Sequence, residues 1–282
     1  MYSLRTIKQP TAEPVSMDLV FAQLRLDESD PRELQLLQGY IAAARRHAEA
    51  YTRRAFYPQV VRLGFDQFPI ACASGNNTQR LSPTGLTPVI EGMTIRLPRP
   101  SCLGVEAVTY LDGSGFRVTL PSDQYALDLE SEPARITPLS GASWPVANLY
   151  VPGSVQIDYL AGSYALPVID QVEVSSVQPY TVTISALPVG GLKITGSDLR
   201  PVPFSQDGQS LSILDASLAG QPLTVTYYKD ACPELVRVAM LMLIADWYRN
   251  REDTSDIQLA RVPNGVSALL DDEVCYGGVF EA

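Results

Sequence analysis

The chain has 282 residues, of which 46% are hydrophobic and 18% are charged, with a formal net charge of −10 and a sequence pI near 4.6. This length and apolar content are enough for one large or two modest globular domains. The acidic balance disfavours a protein that binds the phosphate backbone of nucleic acid tightly and non-specifically, because such binding needs a surplus of lysine and arginine.

The cysteine and histidine content argues against a zinc site. The four cysteines lie far apart without a C-x-x-C motif, and His47 is the only histidine, so we expect neither a metal nor a cofactor. The N-terminal sequence lacks the apolar core of a secretory signal, and the longest apolar run, residues 238–245, is too short to span a bilayer. We therefore expect a soluble product, made in a reducing cytoplasm and without membrane association.

A short helix is predicted within residues 13–26. Ser16 fits its N-cap, and Asp18 suits the positive end of the helix dipole. Val15 and Val20 have the spacing of a hydrophobic contact across the cap.

A second, longer helix is predicted to begin at Pro31, with Asp30 as its cap. Apolar residues then recur at alternating spacings of three and four, at Leu34, Leu37, Ile41, Ala44, Ala48, Tyr51 and Ala55. This seven-residue repeat predicts that the helix packs along its length against another helix.

Four arginines of this segment, Arg45, Arg46, Arg53 and Arg54, lie off the apolar stripe. Glu49 is spaced to form i,i+4 pairs with Arg45 and with Arg53. His47 flanks the stripe with no serine or cysteine near it in sequence, which favours a packing or interface role over a catalytic one.

From residue 60 onward the hydrophobic period changes to two, which is typical of strands. Strands are predicted at residues 60–68, 94–98, 125–130, 134–137 and 154–160, together with a hairpin over 105–120 that turns at Asp112 and Gly113. Residues 70–92 are polar and rich in turn residues, which predicts an exposed loop.

Residues 164–230 form a long β segment without any helical pattern. Candidate strands lie at 172–177, 180–185, 191–195, 210–214 and 222–228, enough for a small sandwich or barrel. The last of them resembles strand 154–160, so the chain leaves one strand, builds a module and returns at an equivalent point. We therefore predict one domain from residues 1–163 and 231–282, with an inserted β-module at 164–230.

The C-terminal region combines an apolar helix with an acidic end. Residues 233–253 predict a helix that is apolar nearly all round and must be enclosed by its own core or by neighbouring subunits. Residues 252–282 hold seven acids and one arginine, whereas 32–62 hold six arginines and two glutamates. This asymmetry suggests complementary surfaces in an assembly, with two solvated faces of a monomer as the alternative. The candidate interface residues are Arg45, Arg46, Arg53, Arg54, Trp247, Tyr248, Arg251, Asp271, Asp272 and Glu273.

No catalytic signature is present. The sequence lacks the P-loop, the dinucleotide fingerprint, the nucleophile elbow and the zinc-protease motif. Asp128, Glu130 and Glu132 could hold calcium, although a solvated sheet edge is the favoured interpretation. We therefore predict an α+β protein that is not an enzyme; an enzyme such as a nuclease or hydrolase, with a site assembled from distant residues, is the disfavoured alternative.

Several segments resemble, in order and spacing, the head–tail connector or head-completion adaptor proteins of tailed phages. Among them are "VTYLDGSG" at residues 108–115 and "MLMLIADWYRNRE" at 240–252, and the others lie at 13–30, 36–56, 63–69, 95–100, 144–162 and 262–270. The resemblance covers about 1–163 and 231–270, and the module at 164–230 departs from it. It implies a helical core of two N-terminal helices and one C-terminal helix, with a small antiparallel β part.

The resemblance also implies a function. It implies a structural virion protein of the neck, between capsid and tail, that forms a ring with copies of itself, twelve to match the portal. The ring would complete the DNA-filled head below the portal and receive the tail or tail-completion protein, while DNA passes without specific binding. We expect residues 253–282 to contact the portal. The alternative is a virion protein whose β-module binds carbohydrate or another structural protein, with the helices as an anchor.

Overall fold

The computed structural model describes residues 2–26, 31–69, 90–91, 93–147, 151–196, 200–250 and 264–275, and within them the chain is an α+β protein with four α-helices and several small antiparallel sheets. The helices are α1 (Met17–Leu24), α2 (Pro31–Thr52), α3 (Glu234–Arg249) and α4 (Asn264–Leu270). The strands are β1 (Tyr2–Lys8), β2 (Gln59–Phe65), β3 (Ile90–Glu91), β4 (Thr94–Arg96), β5 (Cys102–Leu111), β6 (Arg117–Leu120), β7 (Tyr125–Asp128), β8 (Arg135–Pro138), β9 (Val155–Ala161), β10 (Ala165–Glu173), β11 (Thr181–Thr183), β12 (Pro188–Thr195), β13 (Phe204–Asp207), β14 (Ser210–Ile213) and β15 (Pro222–Asp230).

The start of α1 follows its local sequence. Ser16 is the N-cap, in an extended conformation, and its hydroxyl accepts a hydrogen bond from the backbone N–H of Leu19 at 3.4 Å. Val15 and Val20 are both buried, as the hydrophobic contact across the cap requires. The predicted cap of α2, Asp30, and the predicted loop at 70–92, apart from residues 90 and 91 of β3, lie outside the described residues.

The apolar stripe of α2 packs against α3, with α1 and α4 beside them. Leu37, Ile41, Ala44 and Ala48 are buried in one cluster with the inner face of α3, and we call this cluster the helical core. Each fully buried leucine or isoleucine contributes roughly 1.5–3 kcal/mol relative to an exposed one. Both long apolar stripes are therefore covered largely within one chain, which the sequence did not distinguish from cover by a neighbouring copy.

The remaining part of the scaffold is more β-rich than the resemblance implied. A five-stranded antiparallel sheet has the order β1-β2-β9-β5-β6, and a four-stranded one has the order β3-β4-β8-β7. The hairpin β5–β6 turns at Asp112, whose carboxylate accepts hydrogen bonds from the backbone N–H groups of Ser114 and Phe116. Strand β1, which pairs along β2, was not predicted from the sequence.

The segment predicted as an insertion leaves and re-enters the scaffold at one place. Strands β10 and β15 pair antiparallel without a register shift, from Ala165 opposite Asp230 to Glu173 opposite Pro222. Two three-stranded sheets, β10-β15-β12 and β11-β14-β13, contribute side chains to a common cluster. The division of the chain into two domains remains a prediction, and this adjacency of the two ends supports it.

None of the helices in the described residues is both long enough and apolar enough to cross a membrane.

Candidate subunit interface

Arg45, one of the candidate interface residues, is buried and used inside the chain. It is 2% exposed. Its Nε donates to Glu13 Oε2 at 2.8 Å, its Nη1 to Glu49 Oε2 at 2.9 Å and its Nη2 to Gln9 Oε1 at 3.3 Å. Because the guanidinium is desolvated and engaged by these three partners, Arg45 holds the N-terminal segment to α2 and has no surface to offer a neighbouring subunit.

Glu49 extends this network to the start of the sheet. Its Oε1 accepts hydrogen bonds from the backbone N–H of Phe56 at 2.9 Å and from Gln59 Nε2 at 2.7 Å. The predicted Arg45–Glu49 pair is therefore present, within a larger set of partners. Burial raises the pKa of Glu13, partly offset by the positive charge of Arg45. A buried network of this kind stabilises one arrangement of its elements only while every charged member is paired.

Arg54 is likewise directed into its own chain. Its Nε donates to the backbone carbonyl of Glu273 at 2.9 Å, and its Nη1 lies 3.1 Å from Glu132 Oε2. The carboxylate of Glu273 accepts a hydrogen bond from the Tyr164 hydroxyl at 2.6 Å, and burial, followed by this bond, raises the pKa of Tyr164. Two candidate interface residues, Arg54 and Glu273, thus bind each other within the chain, and Glu273 also binds Tyr164, the residue before β10.

The C-terminal segment from residue 264 to 275 belongs to the helical core. Val266 and Leu270 of α4 are fully buried there, and the backbone N–H of Cys275 donates to the carbonyl of Thr52 at 2.9 Å. Asp271 accepts a hydrogen bond from the Tyr51 hydroxyl. Removing residues 254–282 to test the predicted portal contact would therefore open the core.

Trp247 and Tyr248 lie half-buried at the end of α3. The Trp247 ring packs edge-on against His47, with centroids 6.4 Å apart, and lies 6.2 Å from the ring of Tyr40. The Tyr248 hydroxyl donates to Glu33 Oε1 of α2. These aromatics join α3 to α2 within the chain, and His47 is a packing residue of the same contact.

The candidate residues that remain well exposed are Arg46, Arg53, Asp271 and Asp272, whereas Arg251 lies outside the described residues. Arg53 directly follows the end of α2 and has a left-handed backbone, φ 59°. Sequence reasoning missed the exposed apolar side chains on α3, because a helix that is apolar all round does not tell which side its own chain will cover.

Two of the three carboxylates considered as a calcium site, Asp128 and Glu132, are engaged in local hydrogen bonds and ion pairs. Asp128 accepts hydrogen bonds from Ser131 and from Arg135, and these bonds lower its pKa to about 2. Glu132 pairs with Arg54 and accepts a hydrogen bond from the Ser101 hydroxyl. Among the residues that the structure describes, no group of three or more His, Cys, Asp or Glu side chains is placed to hold a metal ion.

Comparison with known proteins gives a fold. No protein-family model matches the sequence, and no curated protein matches it. The chain is similar to one chain of a structure described as the neck of an empty gene transfer agent (GTA) particle computed with C6 symmetry, with a TM-score of 0.52 and 18% identity over 96% of this chain and 95% of that chain.

Two further chains have TM-scores below 0.5. One belongs to the virion of a native GTA particle (TM-score 0.49, 19% identity, 96% of this chain and 94% of that chain). The other belongs to the neck of a native GTA particle computed with C12 symmetry (0.47, 19%, and the same coverage). The first similarity shows that this chain shares, over nearly its whole length, the fold of a chain in the neck of a GTA particle.

Proposed function

We propose that the protein is a structural component of a virion neck that assembles as a ring below the portal, completes the DNA-filled head and receives the tail or tail-completion protein. The observation that carries the proposal is the similarity, over 96% of the chain, to a chain in the neck of a GTA particle. That similarity includes the module at 164–230, which the family resemblance in sequence does not cover. A ring of twelve copies is compatible with the six-fold symmetry in the description of that neck.

The charge of the chain suits such a position. A formal net charge of −10 repels duplex DNA, so that DNA passes a ring of these subunits without being held by phosphate contacts. The exposed arginines Arg46 and Arg53 and the exposed acids Asp271 and Asp272 are the charged residues that we propose for contacts with neighbouring copies or with the portal.

The oligomeric state tests this function directly. The purified full chain is measured by native mass spectrometry alone and after mixing with the portal protein of the same virus. We expect a closed ring in the presence of portal, whether or not the chain is monomeric alone, and density for this chain between capsid and tail in images of the virion vertex. A chain that stays monomeric with portal, or a neck without its density, would refute the proposal.

A contact between portal and the acidic C-terminal segment is a separate part of the proposal. Because residues 264–275 are part of the helical core, the suitable variants end the chain after Cys275 or replace the exposed Asp272 by asparagine. We expect both to fold and to bind portal more weakly than the full chain. Unchanged binding by both would remove this contact.

A second candidate function is that the β-module binds carbohydrate or another virion protein. The observation that favours it is the set of exposed apolar side chains on this module, including Ile169, Val177, Leu187 and Leu214. The test is a variant chain that lacks the module. This role is supported if the variant still forms rings on portal while the particles built with it lose another protein or an interaction with the host surface. Particles that keep every component and interaction would exclude it.

A further inference from the structure

The N-terminal half of α3 exposes apolar side chains on the side facing away from α2. Leu235 is 49% exposed and Val238 is 43% exposed. Met242 lies on the same stripe one turn later, half-buried, with its Cε 3.2 Å from the position that a Cβ would occupy at Gly265 of α4. These residues are spaced three and four apart, so they form one ridge on the helix surface. Glu234 stands at the start of this ridge with its side chain 83% exposed.

The side of α2 that faces away from α3 is recessed where its side chains are small, in contrast to the ridge on α3. Leu36, Gly39, Ala43, Arg46 and Ala50 follow each other at helical spacing and are all exposed. Apart from its chain neighbours and the nearby backbone of α2 itself, nothing lies within 4 Å of the position that a Cβ would occupy at Gly39. The small residues Gly39, Ala43 and Ala50 leave a shallow channel beside Leu36 and Arg46, into which the side chains of another helix can fit at a close interaxial distance.

The two surfaces lie on opposite sides of the α2–α3 pair. The stripe of α2 that faces α3 is buried, and the inner face of α3, including Val236 and Leu243, is buried against it. Each outward surface therefore points away from the other. One chain cannot bring them together, whereas copies arranged head to tail can, and this heterologous arrangement is the one that closes into a ring.

We propose that the exposed ridge of α3 in one copy docks antiparallel into the outward channel of α2 in the next copy. The spacings agree: with a rise of about 1.5 Å per residue, the eight steps from Glu234 to Met242 span about 12 Å, and the seven steps from Arg46 to Gly39 span about 10.5 Å. Glu234 then meets Arg46, Val238 meets Ala43, and Met242 meets Gly39. The occupant of each surface is a second copy of this chain.

Charge favours this register. The carboxylate of Glu234 has only a loose contact with Arg237, at 3.6 Å from its Nη1, because the Nη2 of that guanidinium is held by Asp230. Arg46 is exposed on α2, where its charge also acts on Glu13 of the same chain. Opposite charges at one end of an apolar contact set the register and disfavour the reversed orientation.

The inference rests on the proposed ring and is tested by exchanging charges in the full chain. Arg46→Glu and Glu234→Arg are made singly and together, with Lys193→Glu on the exposed face of the β-module as the matched control. Ring formation on portal is measured against protein concentration by native mass spectrometry, after circular dichroism has shown the wild-type fold. We expect each single reversal to raise the midpoint concentration of ring formation at least about tenfold, equivalent to about 1.4 kcal/mol. The double variant is expected to recover to within about threefold of wild type, and the control to match wild type.

A covalent test adds a readout that does not depend on charge. A chain carrying both Ala43→Cys and Val238→Cys is expected to give a ladder of cross-linked copies on oxidation, whereas either cysteine alone is not. Single reversals that assemble like wild type, or a double variant that does not recover, would overturn the docking while leaving the ring intact. A wild-type chain that forms no ring on portal would instead refute the proposed function, and this inference with it.

Discussion

Arg45 and Arg46 are adjacent in sequence, and the structure predicts a large loss of stability when Arg45 is replaced by alanine and almost none when Arg46 is. The Arg45 side chain is 3% exposed, and its loss leaves Glu49, also 3% exposed, with an unpaired Oε2 in the protein interior. Removing one partner of a buried ion pair costs about 3–5 kcal/mol, because the remaining charge is desolvated without compensation. Arg46 is exposed, and surface replacements of this kind stay within about 0.5 kcal/mol.

The free energy of unfolding of Arg45→Ala and Arg46→Ala is measured by urea titration, with circular dichroism and tryptophan fluorescence followed together. With a slope of about 2 kcal/mol per molar urea, the loss at Arg45 shifts the midpoint by about 1.5–2.5 M, against less than about 0.3 M at Arg46. Trp247 reports the helical core and Trp144 the sheet. Equal, small shifts for the two variants would refute the buried network as a source of stability.

Three further predictions follow from local features. Burial raises the pKa of Glu13 above its ordinary value of 4.5, so just above that pH the folded state binds more protons than the unfolded state. We therefore expect wild type to lose stability relative to Glu13→Gln as the pH rises through this window. A stability difference that is flat between pH 4 and 7 would contradict this. Ser16→Ala costs about 1 kcal/mol and Ser16→Asn much less, measured by urea titration, and equal losses would argue against the cap. Replacing residues 166–229 by an Asn-Gly turn between Ala165 and Asp230 leaves a folded but less stable scaffold, and an unfolded product by circular dichroism would argue against an insertion.

The elements that the sequence alone determined depend on residues close together in the chain. The capped start of α1 at Ser16 and the turn of the β5–β6 hairpin at Asp112 are confirmed, because their hydrogen bonds join residues two to four positions apart. The apolar repeat of α2 is confirmed as a buried stripe at Leu37, Ile41, Ala44 and Ala48 for the same reason, since helical periodicity alone sets which residues share a face. Its predicted last member, Ala55, lies beyond the end of α2 at Thr52 and packs with the sheet instead.

Only the tertiary structure decided which partner each surface meets. Arg45 and Arg46 are alike in sequence, and Arg45 is buried because Glu13, 32 residues away, reaches it in the fold. The hydroxyl of Tyr51 meets Asp271 across 220 residues. Strand β1 forms because its backbone pairs antiparallel with that of β2, more than 50 residues away. Periodicity and capping carry no information about such distant contacts, and for this reason the sequence predicted the two long apolar stripes but not that α2 and α3 cover each other within one chain.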